Sequence, residues 1–342
     1  MTDWLQLAIR KLAANESLDA ESITGAFSQI MRGEGTPVQV AALLMALRVK
    51  GETSTEVAGV ARALREAMIV LPAASPELLV DTCGTGGGTI TTFNISTAAA
   101  LLAAGAGVRI AKHGNRSSTS KSGSADVLEA LGVGIEVSPE VMQRSLIEAG
   151  IVFMFAPLMH PAFKHVGPVR RELAIGTVMN IVGPLANPAR AGRQVIGVAE
   201  LSRLHLLAGA LAELGTVHSL VVHGEPGLDE ISPIGLSTVV EVKEGTVSHW
   251  TIDPAMAGEG EISVADLAGG GPDENAAVIE AVLRGDGTPG AKAAVILNAA
   301  AAIYVSGAVE SYPAAIAIAR TALAEGKGGL ALERLRRASP KG

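Results

Sequence analysis

The sequence predicts an α/β protein with a small N-terminal helical domain and a larger α/β domain built on a mostly parallel central sheet. Residues 1–72 carry helix-start signals without a strand pattern, whereas from about residue 77 short β-branched runs alternate with helix-like or glycine-rich segments. The chain has 342 residues, more than one hydrophobic core usually organises, and 48% of them are hydrophobic. We therefore expect two domains, 1–72 and 73–342.

The N-terminal domain shows two clear helix starts. Thr36 places a hydroxyl cap before Pro37 at the first helical position, and Thr53 with Glu56 has the spacing of a capping box. The apolar residues of these helices exceed what one thin bundle buries, so we expect part of that surface to meet a second subunit. Proline and glycine turns in 160–190 break the later alternation, and we expect part of this segment to return to the helical domain.

The second domain contains five runs typical of buried parallel strands, each followed by a helix-like or glycine-rich segment: LLVDTCG, VRIAKHG, IVFMFAP, QVIGVAE and SLVVHGE. Residues 237–253 alternate like an antiparallel hairpin. The longest apolar stretch, 291–309, is rich in alanine and contains Lys292 and Asn298, so it suits a buried helix rather than a membrane span.

Charge and composition exclude several functions. There are 27 Lys and Arg against 34 Asp and Glu, a net charge of −7, which argues against a broad nucleic-acid footprint. The single cysteine, Cys83, excludes an intrachain disulfide, and the N-terminus lacks the basic-then-apolar order of a signal peptide. We expect a cytoplasmic protein that binds neither nucleic acid nor membrane, and any anion site must be local.

The densest chemical signal is residues 81–105. A predicted strand runs into a glycine-rich turn, residues 84–88, and then into a helix whose expected cap is Asn94. Glycines let backbone N–H groups approach a bound group, and the first turn of a helix favours an anion. Ser96 and Thr97 add hydroxyl donors there. The spacing fits neither a dinucleotide fingerprint nor a P-loop, so the interpretations are a phosphate cradle or a purely structural turn.

A second candidate loop, residues 112–132, follows the next strand. Lys112, Arg116 and Lys121 supply positive charge, and residues 117–120 with Ser124 supply hydroxyl donors. Ligands of open α/β sheets collect outside the carboxyl ends of strands, where this loop would lie. The alternative is an exposed polar loop without a ligand.

Two further patterns concern charged side chains. Asp229 and Glu230 follow the strand SLVVHGE, and adjacent carboxylates near a phosphate cradle suit Mg²⁺, although such a pair is also common as solvated surface charge. Arg170 and Arg171 lie in an apolar, proline-turned stretch. A guanidinium there would hold a carboxylate in two parallel bonds or form a salt bridge with Glu172.

Taken together, these blocks resemble the anthranilate phosphoribosyltransferase family of tryptophan biosynthesis over essentially the full chain. The matching blocks are GTGG at 84–87, NIST at 94–97, KHGNR at 112–116 with SKSGSADVLEALG after it, VRREL at 169–173, GPLANP at 183–188 and GLDEIS at 227–232. The resemblance implies a helical domain joined to an α/β domain, usually a homodimer through the helical domains. It also implies transfer of a phosphoribosyl group from 5-phosphoribosyl 1-diphosphate (PRPP) to the amine of anthranilate, with Mg²⁺ and release of pyrophosphate.

The resemblance also implies residue roles, with catalysis by electrostatics and positioning rather than by an assigned acid or base. The magnesium ligands would be Ser96, Asp229 and Glu230. The anthranilate contacts would be Gly84, His113, Asn115 and Arg170. The PRPP contacts would be Gly84, Gly87, Thr92, Asn94, Ser96, Thr97, Lys112, Gly114, Asn115, Arg116, Ser117, Ser120 and Ser124.

The chain departs from the family pattern at two places. Gly88 stands where the family has aspartate, so we assign it no metal role and expect the contacts with the metal and the diphosphate to differ near this loop. Ala174 and Gly176 replace a glycine and an arginine, which leaves Arg170 as the only arginine assigned to anthranilate. The alternative functions are a pyrimidine nucleoside phosphorylase of the same architecture, which lacks the 112–132 block and the 229–230 pair, and a non-catalytic nucleic-acid-binding relative, which the net charge disfavours.

Overall fold

The computed structural model describes residues 3–117, 120–258 and 262–341. Within these ranges it has fourteen α-helices and one seven-stranded sheet. The strands are β1 Val80–Gly84, β2 Ile110–Gly114, β3 Ile151–Phe155, β4 Arg193–Gly197, β5 His218–Gly224, β6 Ser237–Lys243 and β7 Thr246–Ile252. The helices are α1 Trp4–Ala13, α2 Ala20–Met31, α3 Pro37–Lys50, α4 Ser54–Ala67, α5 Ile95–Gly105, α6 Ser124–Ala130, α7 Pro139–Glu148, α8 Ala156–Met159, α9 Gly167–Leu173, α10 Leu204–Glu213, α11 Pro272–Leu283, α12 Pro289–Val305, α13 Tyr312–Ala324 and α14 Lys327–Ala338.

The first four helices form the predicted N-terminal lobe, and their starts follow the sequence signals. Thr36 caps α3 with Pro37 in its first turn, and the capping box of Thr53 and Glu56 opens α4. Glu56 is fully buried, where it pairs with the ammonium of Lys50 at 2.9 Å and accepts the N–H of Leu18. This carboxylate therefore joins the ends of α3 and α4 to the segment before α2.

All five predicted parallel runs form strands, in the order β3-β2-β1-β4-β5, and the predicted hairpin adds β6 and β7 antiparallel at one edge. The strand order reverses beside β1, which has β2 on one side and β4 on the other. Open α/β sheets bind ligands in the crevice at such a switch point, outside the carboxyl ends of the strands. The topology therefore predicts a ligand site beside the segments that follow Gly84 and Gly197.

Two large hydrophobic clusters cover the two faces of the sheet. The first packs α5 and α12 against the sheet, and α12 is a buried, alanine-rich helix as predicted for 291–309. The second unites α1–α4 and α10 with residues of the 166–186 segment and with Ile196, Val221 and Val240 of the sheet. The N-terminal lobe thus shares one core with a face of the sheet. No helix in the described ranges is both long and apolar enough to cross a bilayer.

A buried polar cluster joins the antiparallel hairpin to α12. The carboxylate of Glu241 accepts hydrogen bonds from His218 Nε2 at 2.7 Å, Trp250 Nε1 at 2.8 Å and the Tyr304 hydroxyl at 2.8 Å. Burial opposes ionisation of Glu241, but the bonds from His218, Tyr304 and Trp250 outweigh it and lower its pKa. This cluster stabilises the sheet edge away from the switch point.

Candidate active site

The glycine-rich turn after β1 adopts a conformation that leaves backbone donors free. Gly86 and Gly87 have φ values of 70° and 83°, in the left-handed region that favours glycine. The N–H of Gly86 donates to Asp229 Oδ2 at 2.8 Å, which fixes the turn. The N–H groups of Gly87 and Gly88 have no partner among the described residues, so they are available to an anion.

The glycines at the ends of β1 and β4 are required by close packing. A Cβ on Gly84 would lie 2.5 Å from Asp229 Oδ2, and one on Gly197 would lie 1.6 Å from the Asp229 carbonyl oxygen. Any side chain at either position would displace the segment that carries Asp229. The two strand-end glycines therefore allow residues 229–230 to lie in the switch-point crevice.

The predicted magnesium ligands meet in this crevice. Ser96, Asp229 and Glu230 line one small cavity together with Thr82 and Asn298. Asn298 donates to the carbonyl of Ile231 at 2.9 Å and accepts the N–H of the same residue at 3.0 Å, which fixes the chain directly after Glu230.

The electrostatics of the carboxylate pair fit a divalent cation. Burial raises the pKa of Glu230 well above its usual range, and the neighbouring Asp229 raises it further; burial also raises the pKa of Asp229. Glu230 Oε2 is buried with no hydrogen-bond partner among the described residues. Within these ranges no three His, Cys, Asp or Glu side chains form a metal cluster, so Mg²⁺ would depend on this pair, the Ser96 hydroxyl, water and substrate oxygens.

The first turn of α5 confirms the cap position but not the capping contact. Asn94 is the N-cap residue, yet its side chain makes no cap hydrogen bond. Instead its Nδ2 donates to Ser122 O at 3.1 Å, and its Oδ1 accepts from Ser122 Oγ at 3.2 Å and Asn275 Nδ2 at 2.9 Å. The amide is therefore held between the second loop and α11, because both offer it complementary partners. The buried Thr97 hydroxyl has no partner among the described residues, and Thr92 bridges to Ala268.

Lys112 lies beneath this turn rather than in open solvent. It is 2% exposed, and its ammonium donates to Thr82 O and lies 3.4 Å from Ser96 Oγ. Burial lowers its pKa, and the negative charge of Asp81 opposes that shift. The side chain therefore places positive charge directly behind Ser96.

The second loop is present at its described ends, and Ser118 and Thr119, within the predicted 117–120 set, lie outside the described residues. Ser117 Oγ accepts the N–H of Ser120 at 2.7 Å, and Ser124 Oγ donates to Asn115 O at 3.4 Å. Gly114 ends β2, and Asn115 is exposed directly after it. These residues all follow the carboxyl end of β2, as predicted.

Arg116 differs from the expectation of a free phosphate ligand. Its guanidinium pairs with Asp126 and Glu129 of α6 and lies over the ring of Phe155 at 5.5 Å from the centroid. The positive charge is thus largely neutralised within the protein, since α6 begins immediately after the loop. Its PRPP contact stays a prediction.

Two histidines form a neutral pair beside the loop. The rings of His113 and His160 lie 5.0 Å apart between centroids, and Nε2 of each is buried without a partner among the described residues. Burial lowers the pKa of His113 to about 3, with contributions from His160 and Lys112, and burial lowers that of His160 to about 4. Both imidazoles are therefore uncharged at neutral pH.

Arg170 lies on α9 without the alternative salt bridge. Among the described residues it pairs with no carboxylate, including Glu172, and its one side-chain hydrogen bond is to Asn180 Oδ1 at 3.4 Å. Burial lowers its pKa, but a guanidinium stays charged. It makes no hydrogen bond to the glycine-rich turn or to the described part of the second loop.

The departures from the family pattern have distinct local consequences. Ala174 ends α9 with φ 51°, where glycine would be unstrained. Gly176 is exposed, and a Cβ there would meet nothing within 4 Å. A Cβ on Gly88 would lie 3.2 Å from Gly227 O and 3.4 Å from Asp229 Oδ1, so an aspartate there would require small shifts.

Sequence reasoning missed a buried network under the site. Asp81 accepts the side-chain N–H of Asn187 at 2.8 Å and the backbone N–H of His113 at 3.2 Å, and burial raises its pKa to about 6. The rings of His113 and His160 lie beside each other near this network. The one feature of the sequence that indicates a special role for Asp81 is its position as a lone aspartate in the apolar run LLVDTCG. Nothing in the sequence indicates that His160 lies against His113.

Two family models and many known proteins are similar to this chain. Residues 76–329 match the family model "Glycosyl transferase family, a/b domain", and residues 6–68 match "Glycosyl transferase family, helical bundle domain". The anthranilate phosphoribosyltransferase of Thermomicrobium roseum is 47% identical over 96% of this chain and 94% of its own length.

Solved structures give the same result. The crystal structure of anthranilate phosphoribosyltransferase from Thermus thermophilus is similar with a TM-score of 0.91 and 43% identity, covering 97% of this chain and 98% of that one. The Saccharomyces cerevisiae enzyme in complex with PRPP and Mg is similar with a TM-score of 0.86 and 28% identity, covering 98% of this chain and 97% of that one. With two family models and near-half identity along almost its whole length, the chain belongs to the anthranilate phosphoribosyltransferase family.

Proposed function

We propose that this chain transfers the 5-phosphoribosyl group of PRPP to the amine of anthranilate and releases pyrophosphate. The observation that carries the proposal is the crevice between β1 and β4, where free backbone donors lie beside a buried carboxylate pair with an unpartnered oxygen among the described residues. A magnesium-bound sugar diphosphate requires an anion cradle and a cation site side by side, and both lie at the carboxyl ends of the central strands β1 and β4.

For PRPP, the proposed contacts are the free N–H groups of Gly87 and Gly88, the first turn of α5 and the described serines of the second loop. Lys112 adds a buried positive charge behind Ser96. Water screens a buried charge less than an exposed one, so Lys112 is suited to stabilise a bound phosphate, as predicted for a PRPP contact.

For magnesium, we propose Ser96, Asp229 and Glu230 as the protein ligands. Binding of a divalent cation offsets the burial and the repulsion by Asp229 that together raise the pKa of Glu230, and it gives Glu230 Oε2 a partner. When bound, Mg²⁺ supplies positive charge to the diphosphate leaving group. The solved yeast relative carries both PRPP and Mg, which supports this choice of metal.

For anthranilate, we propose that Arg170 binds the carboxylate and that His113 and His160 line the aromatic ring, with Gly84 and Asn115 at its edge. Arg170 is suited to this because its guanidinium is partly buried and pairs with no carboxylate of the described chain. The neutral imidazoles give a low-charge wall that accepts an aromatic ring and excludes water.

The chemistry needs orientation more than proton transfer. Breaking the ribose C1–oxygen bond builds positive charge on the sugar and negative charge on the pyrophosphate, which the N–H groups of Gly87 and Gly88 and the Lys112 charge stabilise. The amine of anthranilate is an uncharged nucleophile at neutral pH, so Arg170 serves by aiming it at C1. No strong base is required in this scheme.

We also propose a homodimer formed through the N-terminal lobe. Val38 and Val49 of α3 are 79% and 80% exposed, and the half-buried Met45 lies between them at helical spacing. An exposed apolar stripe of this kind on a small lobe fits a second copy of the same surface.

The activity is tested by mixing the protein with PRPP, Mg²⁺ and anthranilate and following the loss of anthranilate fluorescence. We expect loss only when all three are present, with pyrophosphate released in equal amount. Fluorescence that stays constant at high protein concentration, with PRPP and Mg²⁺ in excess, would contradict the proposal.

A further inference from the structure

The carboxylate of Asp126 accepts hydrogen bonds from three residues of the second loop. Asp126, in the first turn of α6, accepts the N–H of Ser117 at 3.0 Å and the N–H of Gly123 at 2.9 Å on the same oxygen, Oδ2. Its other oxygen, Oδ1, accepts from Arg116 Nη1 at 3.0 Å. A single side chain thus binds Ser117, Gly123 and Arg116.

Gly123 packs closely against Ser117, and the adjacent Ser122 contacts the phosphate cradle. A Cβ on Gly123 would lie 2.4 Å from Ser117 N and 2.6 Å from Asn115 O, so the loop ends are in direct backbone contact. Ser122, beside Gly123, is bonded in turn to Asn94 at the start of α5. The position of Ser122 relative to the cradle therefore depends on how the neighbouring Gly123 is held.

Resting on the proposed function, we infer that Asp126 is a positioning residue for PRPP: its carboxylate holds Ser117 and Gly123, and so keeps the hydroxyls of Ser117 and Ser124 in place to meet the phosphates. Asp126 itself touches no substrate in this scheme. All of its acceptor capacity that the structure records is directed at the loop and Arg116, which distinguishes it from Asp229 and Glu230.

The test uses the full-length protein and two substitutions at this position. Asp126→Ala removes both backbone hydrogen bonds, and we expect the KM for PRPP to rise about tenfold or more, as for two lost bonds to a carboxylate. The KM for anthranilate should stay within about twofold, since Arg170 and the histidines are untouched. Asp126→Asn keeps an oxygen for the two N–H groups, and its KM for PRPP should stay within about threefold of the original.

The matched control is Glu129→Gln, because Glu129 also pairs with Arg116 but accepts no N–H from the described part of the loop. We expect its KM for PRPP to be unchanged. A purely structural role would lower the unfolding temperature of the alanine variant without the selective change in KM. Equal losses in the asparagine and alanine variants, or in the Glu129 control, would overturn the inference.

Calorimetric titration with PRPP and Mg²⁺ separates this inference from the proposed function. A protein that binds PRPP but does not consume anthranilate would contradict the proposed function, while weaker PRPP binding in Asp126→Ala than in Asp126→Asn would still support the positioning role. If Asp126→Ala fails to fold, the asparagine variant alone tests the inference. Because asparagine keeps the oxygen that accepts the two backbone N–H groups, we expect its PRPP binding to be nearly unchanged, and a weakening of about tenfold would contradict the inference.

Discussion

Replacing Arg170 with alanine tests the anthranilate assignment without a large effect on folding. The guanidinium makes one 3.4 Å hydrogen bond, to Asn180, and no ion pair with the described residues. Its removal should therefore change the free energy of unfolding by less than about 1 kcal/mol. A charge-assisted bond to a substrate carboxylate contributes about 1.5–3 kcal/mol, so kcat/KM for anthranilate should fall roughly tenfold to 150-fold.

The assay is steady-state kinetics with anthranilate varied at saturating PRPP, followed by fluorescence. Arg171→Ala is the matched control, because Arg171 is the adjacent residue of α9 and is exposed. We expect that control to retain the original kcat/KM and the Arg170 variant to retain its KM for PRPP. An unchanged apparent affinity for anthranilate in Arg170→Ala would refute the assignment, as would an equal loss in the Arg171 control.

Three further outcomes are expected. Asp229→Asn combined with Glu230→Gln should lower activity and raise the Mg²⁺ concentration needed for half-maximal rate, because both charged ligands are lost; wild-type magnesium dependence would contradict the metal role. Glu241→Leu should lower the free energy of unfolding by about 3–5 kcal/mol in denaturant melts, since the buried His218 and the half-buried Trp250 and Tyr304 lose their acceptor. Because its folded pKa is lowered, Glu241 stabilises the protein above the ordinary glutamate pKa, and that contribution should disappear as pH falls through the folded pKa. Val49→Glu should shift sedimentation from dimer to monomer if α3 forms the interface, and an unchanged sedimentation coefficient would place the interface elsewhere.

Much of the fold followed from local patterns in the sequence. The helix starts at Thr36 and Thr53 were predictable because capping depends on residues three positions apart. The parallel runs and the hairpin were predictable from periodicity, and their carboxyl ends located the site. The strand order was not, because pairing of β1 with β4 joins residues more than a hundred positions apart.

The site was predictable by segment but less so by contact. Asn94 was expected to cap α5, yet its amide is held by Ser122 and Asn275, and Asn275 lies 181 residues away in sequence. Arg116, whose PRPP contact stays a prediction, pairs with Asp126 and Glu129 of α6, which the sequence did not indicate. Such competition between partners depends on tertiary packing, which periodicity and motif spacing do not encode.

The most direct test of the central claim is a crystal structure of the protein with PRPP, Mg²⁺ and a non-nucleophilic anthranilate analogue that retains the carboxylate. We predict the diphosphate at the β1–β4 crevice beside Glu230, and the analogue's carboxylate at Arg170 with its ring against His113. Ligands bound in separate, unconnected cavities would contradict the account.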